Sequence, residues 1–200
     1  DAIDVLDDVP EPVLDHAPAA RPAGELPLER ELERLLPRLR EQGRARRHRV
    51  DGALTVSADR AVPVVAAVTE RLGLPSIGTD VALAMTNKVV MRSRLGGAGV
   101  PQPPWLALHG PGEREASRFT SFPAVLKPAD SGGQRGVVRV ESGAEVEAGL
   151  AEALAESRSG EAILEGFVDG VELNGIVVAR EGRVDVLTLS DRMRPPGVGF

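Results

Sequence analysis

Short apolar runs alternate with stretches of helical spacing along this chain, and the alternation predicts a mixture of strands and helices. Trp105 to Leu108, Pro123 to Lys127, Val137 to Val140 and Ala162 to Glu165 read as strands, and Val146, Leu150 and Leu154 mark a helix before the last of them. Val171 to Ala179 and Val184 to Leu189 are two further strands, joined at Glu181-Gly182 as a hairpin and expected to join the main sheet. Upstream, Leu28, Leu32, Leu35, Leu36 and Leu39 recur at helical spacing, with Pro37 interrupting at a cost of about 3 kcal/mol. Ile3, Val5 and Leu6 form a strand candidate. Ala53 to Val56 reads as a short buried strand, followed by a helix through Val64 to Leu72 that Ser57 or Asp59 can cap. Gly73 to Gly78 supplies a turn and a short strand, and Thr79 or Asp80 caps another helical piece. Asn87 starts a helix carrying Val89, Val90, Arg94 and Leu95, expected to end in a left-handed cap at Gly96-Gly97. Glu113 to Arg118 reads as a short helix. The strand-helix-strand rhythm of the first half predicts a parallel α/β architecture, with ligands gathering beyond the carboxyl ends of strands.

Composition narrows the function classes. Two hundred residues with 42% hydrophobic content can bury a core, in one large domain or two small ones. A net charge of −6 provides no basic field for nucleic acid or an anionic membrane surface. The absence of cysteine excludes disulfides, thiolate chemistry and cysteine-zinc sites. No apolar run approaches the roughly 20 residues needed to span a bilayer, and no signal peptide opens the chain, so a cytoplasmic location is the default expectation. His16, His48 and His109 lack metal-ligand spacing, and no metal site is predicted.

The chemistry concentrates in Leu126-Lys127-Pro128-Ala129-Asp130-Ser131-Gly132-Gly133-Gln134-Arg135-Gly136. A lysine ends an apolar run, a glycine-rich loop follows, and the apolar pattern then resumes. Glycines let successive N–H groups converge on an anion, and the lysine adds a mobile point charge. An ordinary glycine-containing hairpin fits the same residues. A second lysine, Lys88, lies in the first turn of its helix, where positive charge is locally unfavourable unless a phosphate is near. A solvated surface lysine is the alternative. The cluster Arg44, Arg46, Arg47, His48 and Arg49 reads as a solvated helix end or an anion site.

Lys88, the glycine loop behind Lys127 and the segment Ile163-Leu164-Glu165-Gly166-Phe167-Val168-Asp169-Gly170-Val171-Glu172 occur in an order that resembles the ATP-grasp superfamily. Leu72-Gly73-Leu74-Pro75 and Gly99-Val100-Pro101-Gln102-Pro103 look most like its carboxylate-amine ligase branch, which includes L-amino acid ligases and relatives of the carbamoyl phosphate synthase large chain. The resemblance runs from about Asp51 to Asp191. It implies an α/β fold with an N-terminal parallel, Rossmann-like pre-ATP-grasp domain over residues 1–85, followed by part of an ATP-grasp domain over residues 86–200, with a lid subdomain at about 115–168. The chain opens on what resembles a second strand and stops at Gly197-Val198-Gly199-Phe200, so a fragment is expected, with the magnesium ligands on later strands.

The resemblance also implies roles. Lys88 and Lys127 hold the phosphates of ATP, while Ser131, Gly132, Gly133, Gln134 and Gly136 cover them. Glu165 accepts from the adenine amino group, the backbone of Phe167 and Val168 reads the base edge, and Glu172 holds the ribose. Ordinary strand-edge charges are the alternative for Glu165 and Glu172. Arg194 is the candidate catalytic or substrate contact, with an exposed loop arginine as the alternative. The implied reaction uses ATP and Mg2+ to convert a carboxylate into an acyl phosphate that an amine attacks. Bicarbonate-using biotin carboxylase or carbamoyl phosphate synthase-like enzymes, and a non-catalytic nucleotide-binding module, stay open. The expected partners are ATP and small carboxylate and amine substrates, without nucleic acid or membrane, and a homodimer is allowed.

Overall fold

The computed structural model describes residues 49–56, 59–110 and 118–193. The expectations for Ile3 to Leu6, the leucine-spaced helix, Arg44 to His48, Ser57, Arg194 and all of the Glu113 to Arg118 helix except Arg118 lie outside them.

Among the described residues, three helices come first. Helix α1 (Val62–Leu72) follows a short 3-10 turn at Asp59–Ala61 and carries a proline in its first turn, where the missing N–H costs nothing. It ends at Gly73, whose φ of 66° is the left-handed conformation that closes many helices. Helix α2 (Thr79–Thr86) packs on α1 and takes its N-terminal cap from it: Glu70 Oε2 accepts from Thr79 N at 3.2 Å and from Thr79 Oγ1 at 2.5 Å. Asn87 then ends α2 and begins helix α3 (Lys88–Gly97), its Oδ1 accepting from Val89 N and Val90 N at 2.9 and 3.1 Å. One extended residue thus makes a corner between two helices.

A four-stranded sheet follows, in the order β1-β4-β2-β3, with every neighbouring pair antiparallel. Its strands are β1 (Trp105–Leu108), β2 (Ala124–Pro128), β3 (Val138–Val140) and β4 (Ala162–Gly166). Helix α4 (Gly143–Glu156), capped by Ser142 Oγ, connects β3 to β4 and covers one face. The period-two pleat sends Leu108, Ala124, Leu126, Val140, Ala162 and Leu164 into a core against Val146, Leu150 and Ala153 of α4. Gly149 permits the approach, since a Cβ there would stand 3.3 Å from both Leu126 and Val138.

Among the described residues, strands β5 (Leu173–Arg180) and β6 (Arg183–Asp191) pair with each other alone. Their turn is as expected: Glu181 and Gly182 both have positive φ, 51° and 76°, which matches the twist of a two-residue hairpin. A bulge leaves Leu187 without a cross-strand partner opposite Val177. Such a bulge sets two side chains on one face, so Val184, Val186, Leu187 and Leu189 line up together with Val177. All five are more than half exposed.

Several expectations are corrected. Residues 53–56 form no strand, and Leu54 and Val56 are 82% and 75% exposed, because α1 buries its apolar face on α2 rather than on a sheet. Residues 74–78 form no strand either. Gly78 rather than Thr79 or Asp80 is the cap position of α2, and Ala61 rather than Asp59 that of α1. Helix α3 runs through Gly97, and the left-handed glycine is Gly99, φ 73°. β5 and β6 lie outside the main sheet. The described strands all lie from Trp105 onward and pair antiparallel, while much of the parallel domain expected over residues 1–85 lies outside the described residues. No helix among the described residues is long and apolar enough to cross a membrane.

Leu126→Ala is expected to lower the unfolding free energy by about 2–5 kcal/mol, whereas Val184→Ala on the exposed hairpin changes it by about 0.5 kcal/mol or less. Urea denaturation of the two variants checks the contrast.

Candidate functional site

The site grows from the face of the sheet that α4 leaves uncovered. Alternation in β2 places Val125 and Lys127 there, and the register Val125↔Glu165 and Lys127↔Ile163 puts Glu165 on the same face, diagonal to Lys127. Helix α3 supplies Arg92 from above. The Glu165 carboxylate receives three charge-assisted contacts: Arg92 Nε on Oε1 at 2.9 Å, Arg92 Nη2 on Oε2 at 3.2 Å and Lys127 Nζ on Oε2 at 2.5 Å. Its side chain is only 6% exposed. Burial would raise its pKa, but the Arg92 hydrogen bond and the Lys127 charge overcome that and hold the carboxyl below its usual range.

Lys88 is aimed by the Asn87 corner at the chain leaving β2. Its backbone N–H donates to Ala129 O at 2.8 Å, and its Nζ donates to the carbonyls of Pro128, Ala129 and Ser131 at 3.0, 3.3 and 2.9 Å. Desolvation lowers its pKa, and the neighbouring Lys127 charge lowers it further. The loop is anchored at its start by Asp130, which accepts from Ser157 Oγ, Arg158 N and Ser159 N at 2.9, 2.9 and 3.0 Å. Gly133, Gln134 and Gly136 all adopt positive φ, and Gly133 and Gln134 are exposed at the loop tip. Gly136 has a φ of 64°, and a Cβ there would press on Pro128 and Glu156 at 3.1 and 3.2 Å, so both backbone and packing favour glycine.

A cavity of about 250 Å³ opens beside Lys88, lined by Asp59, Met85, Asn87, Ser131 and Gly132 among others. Lys127 and Glu165 do not line it. Lys127 is near enough for its charge to act on Lys88, while each lysine is held by internal acceptors. Phe167 donates its N–H to Pro123 O at 2.8 Å, and its ring lies 4.6 Å beneath the Arg139 guanidinium. Val168 beside it is exposed. Glu172 sits farther along, at the base of the hairpin, where its carboxylate accepts from Arg192 at 2.7 Å. Among the described residues no group of three or more His, Asp or Glu side chains is placed to hold a metal ion.

Two residues of the site escaped the sequence reading. Arg92 lies four positions after Lys88 on the same helical face, which was the available signal. Asp130 looked like one more polar loop residue, and its partners are more than 25 positions away.

No protein-family model matches the chain. It is 35% identical over 143 residues to a D-alanine–D-alanine ligase of Oleidesulfovibrio alaskensis, covering 68% of this chain and 43% of that protein. It is 36% identical over 110 residues to one from Methylococcus capsulatus, covering 52% of this chain and 34% of the relative. The chain thus spans less than half the length of these curated relatives. Among solved structures, an L-amino acid ligase from Bacillus licheniformis matches with a TM-score of 0.63 and 26% identity, over 78% of this chain and 36% of the other. D-alanyl-alanine synthetase A from Vibrio cholerae shares the fold, with a TM-score of 0.57 and 17% identity over 68% of this chain and 42% of that one.

Glu165 ties stability to pH. Its folded pKa lies below the unfolded value, so its contribution is complete above the unfolded value and is lost as pH falls through the folded one. Glu165→Gln is expected to flatten the acid side of the stability curve, read from urea midpoints between neutral pH and about pH 3. An acid limb as steep as that of the unsubstituted protein would contradict the pairing.

Proposed function

We propose that this chain is an ATP-grasp carboxylate-amine ligase segment that holds the triphosphate of ATP between Lys88, Lys127 and the glycine loop as the nucleotide-binding part of the ligase. The carrying observation is that two ammonium groups converge on the end of β2, with the charge of Lys88 disfavoured by burial and by Lys127. A polyanion relieves that cost. Phosphate oxygens would replace the carbonyl and carboxylate acceptors that hold the two ammonium groups.

Ser131, Gly132, Gly133, Gln134 and Gly136 form the cover. The cavity beside Lys88 is smaller than the roughly 300–1,000 Å³ of common ligand sites, so the loop has to move outward for a nucleotide to enter. Phe167 and Val168 carry the base edge. The Phe167 N–H is already used within the fold, which leaves the exposed Val168 backbone to read the base. Both oxygens of Glu165 are engaged, so its role is better supported as an internal anchor than as the acceptor for the adenine amino group. Glu172 stands to receive the ribose hydroxyls if Arg192 gives way. Arg194 keeps its candidacy for a substrate carboxylate on residue chemistry alone.

In the proposed reaction a carboxylate oxygen bonds to the γ-phosphorus as the bond to ADP breaks. The amine then attacks the acyl carbon, loses a proton and expels phosphate. Charge neutralisation and positioning dominate such transfers, which suits a site of lysines and N–H donors. The described residues do not assemble ligands for the magnesium ion that this chemistry uses, and no role is assigned to them toward it. The relatives are ligases named for amino acids, which favours amino acids over bicarbonate as the carboxylate.

Lys88→Met and Lys127→Ala are each expected to raise the Kd for ATP about tenfold or more, the value of a charge-assisted hydrogen bond. Calorimetric titration measures it. ADP release from the full chain that depends on added amino acids would support the ligase. ATP binding without such release would favour a nucleotide-binding module.

A further inference from the structure

We propose that Arg92 is a positioning residue for nucleotide binding: by gripping both oxygens of Glu165 it frees Lys127 to leave that carboxylate for a phosphate. The inference rests on the reading of Lys127 as a phosphate ligand.

The argument is one of charge. Lys127 pairs with Glu165 Oε2 at 2.5 Å, and a phosphate has to take it from there. Were Lys127 the sole partner of that carboxylate, the transfer would leave an ionised group with a 6% exposed side chain uncompensated, and removing one member of a buried ion pair is strongly unfavourable. Arg92 changes this. Its Nε and Nη2 reach Oε1 and Oε2 at 2.9 and 3.2 Å, so Glu165 keeps one cation bonded to both oxygens after Lys127 departs. The planar guanidinium suits the task, since it stays charged and matches the two oxygens at once, whereas a lysine could reach them only as a point charge. Arg92 is held in place for it. Its helix is capped by Asn87, and its own carbonyl accepts from Gln102 Nε2 at 2.8 Å. Lys88 lies one helical turn earlier on α3, so the same helix that steadies Glu165 also delivers the other phosphate-binding ammonium.

A purely structural staple between α3 and the sheet would predict something different: loss of stability with unchanged affinity for ATP in the folded fraction. Titration calorimetry of the full chain with ATP separates the two. Arg92→Met is expected to raise the Kd for ATP about tenfold. Adding Glu165→Gln to it is expected to bring the Kd back toward the unsubstituted value, because a neutral amide no longer detains Lys127. Arg92→Lys should fall between. An Arg92→Met protein that binds ATP as before, or a double variant no better than the single one, would overturn the proposal. If Arg92→Met does not fold, Arg92→Lys decides, with an unchanged Kd counting against. Lys127→Ala tells the two levels apart. Undiminished ATP affinity there removes the phosphate role itself, while lost affinity there with none lost in the Arg92 variants removes only the part given to Arg92.

Discussion

An ionised carboxylate placed between a sheet and a helix must keep its cations, and Glu165 meets that demand with Arg92 and Lys127. Much of the local architecture follows from it. The carboxylate rises from the centre of the sheet, on the face that α4 does not cover, and it fixes α3 above that face through Arg92. Docking α3 in this way brings its first residue, Lys88, against the chain leaving β2. There the ammonium and backbone N–H of Lys88 hold the start of the glycine loop. One ion-pair cluster thereby sets the positions of both lysines.

The two faces of the sheet divide the work. One buries Leu126, Leu164 and their neighbours against α4 and supplies the stability that lets the other carry buried charge. The glycine loop joins the two regimes, because Asp130 fastens its beginning to residues 157–159 while its tip stays exposed. A firm base and an open tip are the physical requirements of a cover that closes over a ligand without disturbing the core.

Part of this could be read from the residues. The run Ala124 to Pro128 alternates visibly, which sets Lys127 on the face opposite Leu126, and the loop glycines announced the break after it. The run Ala162 to Glu165 is apolar until its last residue, so the face of Glu165 depended on a register with β2 that spans a long intervening segment. Arg92 was hidden for a similar reason, since Lys88 to Gly97 reads as an ordinary polar helix until its partner is known. Leu54 and Val56 misled in the opposite direction. A short apolar run has no period that separates a buried strand from an exposed connection, and here it lies open. The hairpin of β5 and β6 was legible in its turn and not in its place, because turn chemistry is local and sheet membership is not. The resemblance of the chain to ATP-grasp carboxylate-amine ligases was carried by the order of Lys88, the Lys127 loop and the Glu165 segment, and the curated relatives it matches are D-alanine–D-alanine ligases.

The most direct test of the central claim is a crystal structure of the protein with ATP bound. The account predicts Nζ of Lys88 and Nζ of Lys127 both within hydrogen-bonding distance of phosphate oxygens, with Arg92 still on both oxygens of Glu165. A nucleotide whose phosphates lie away from the end of β2, with Lys127 still on Glu165, would contradict it.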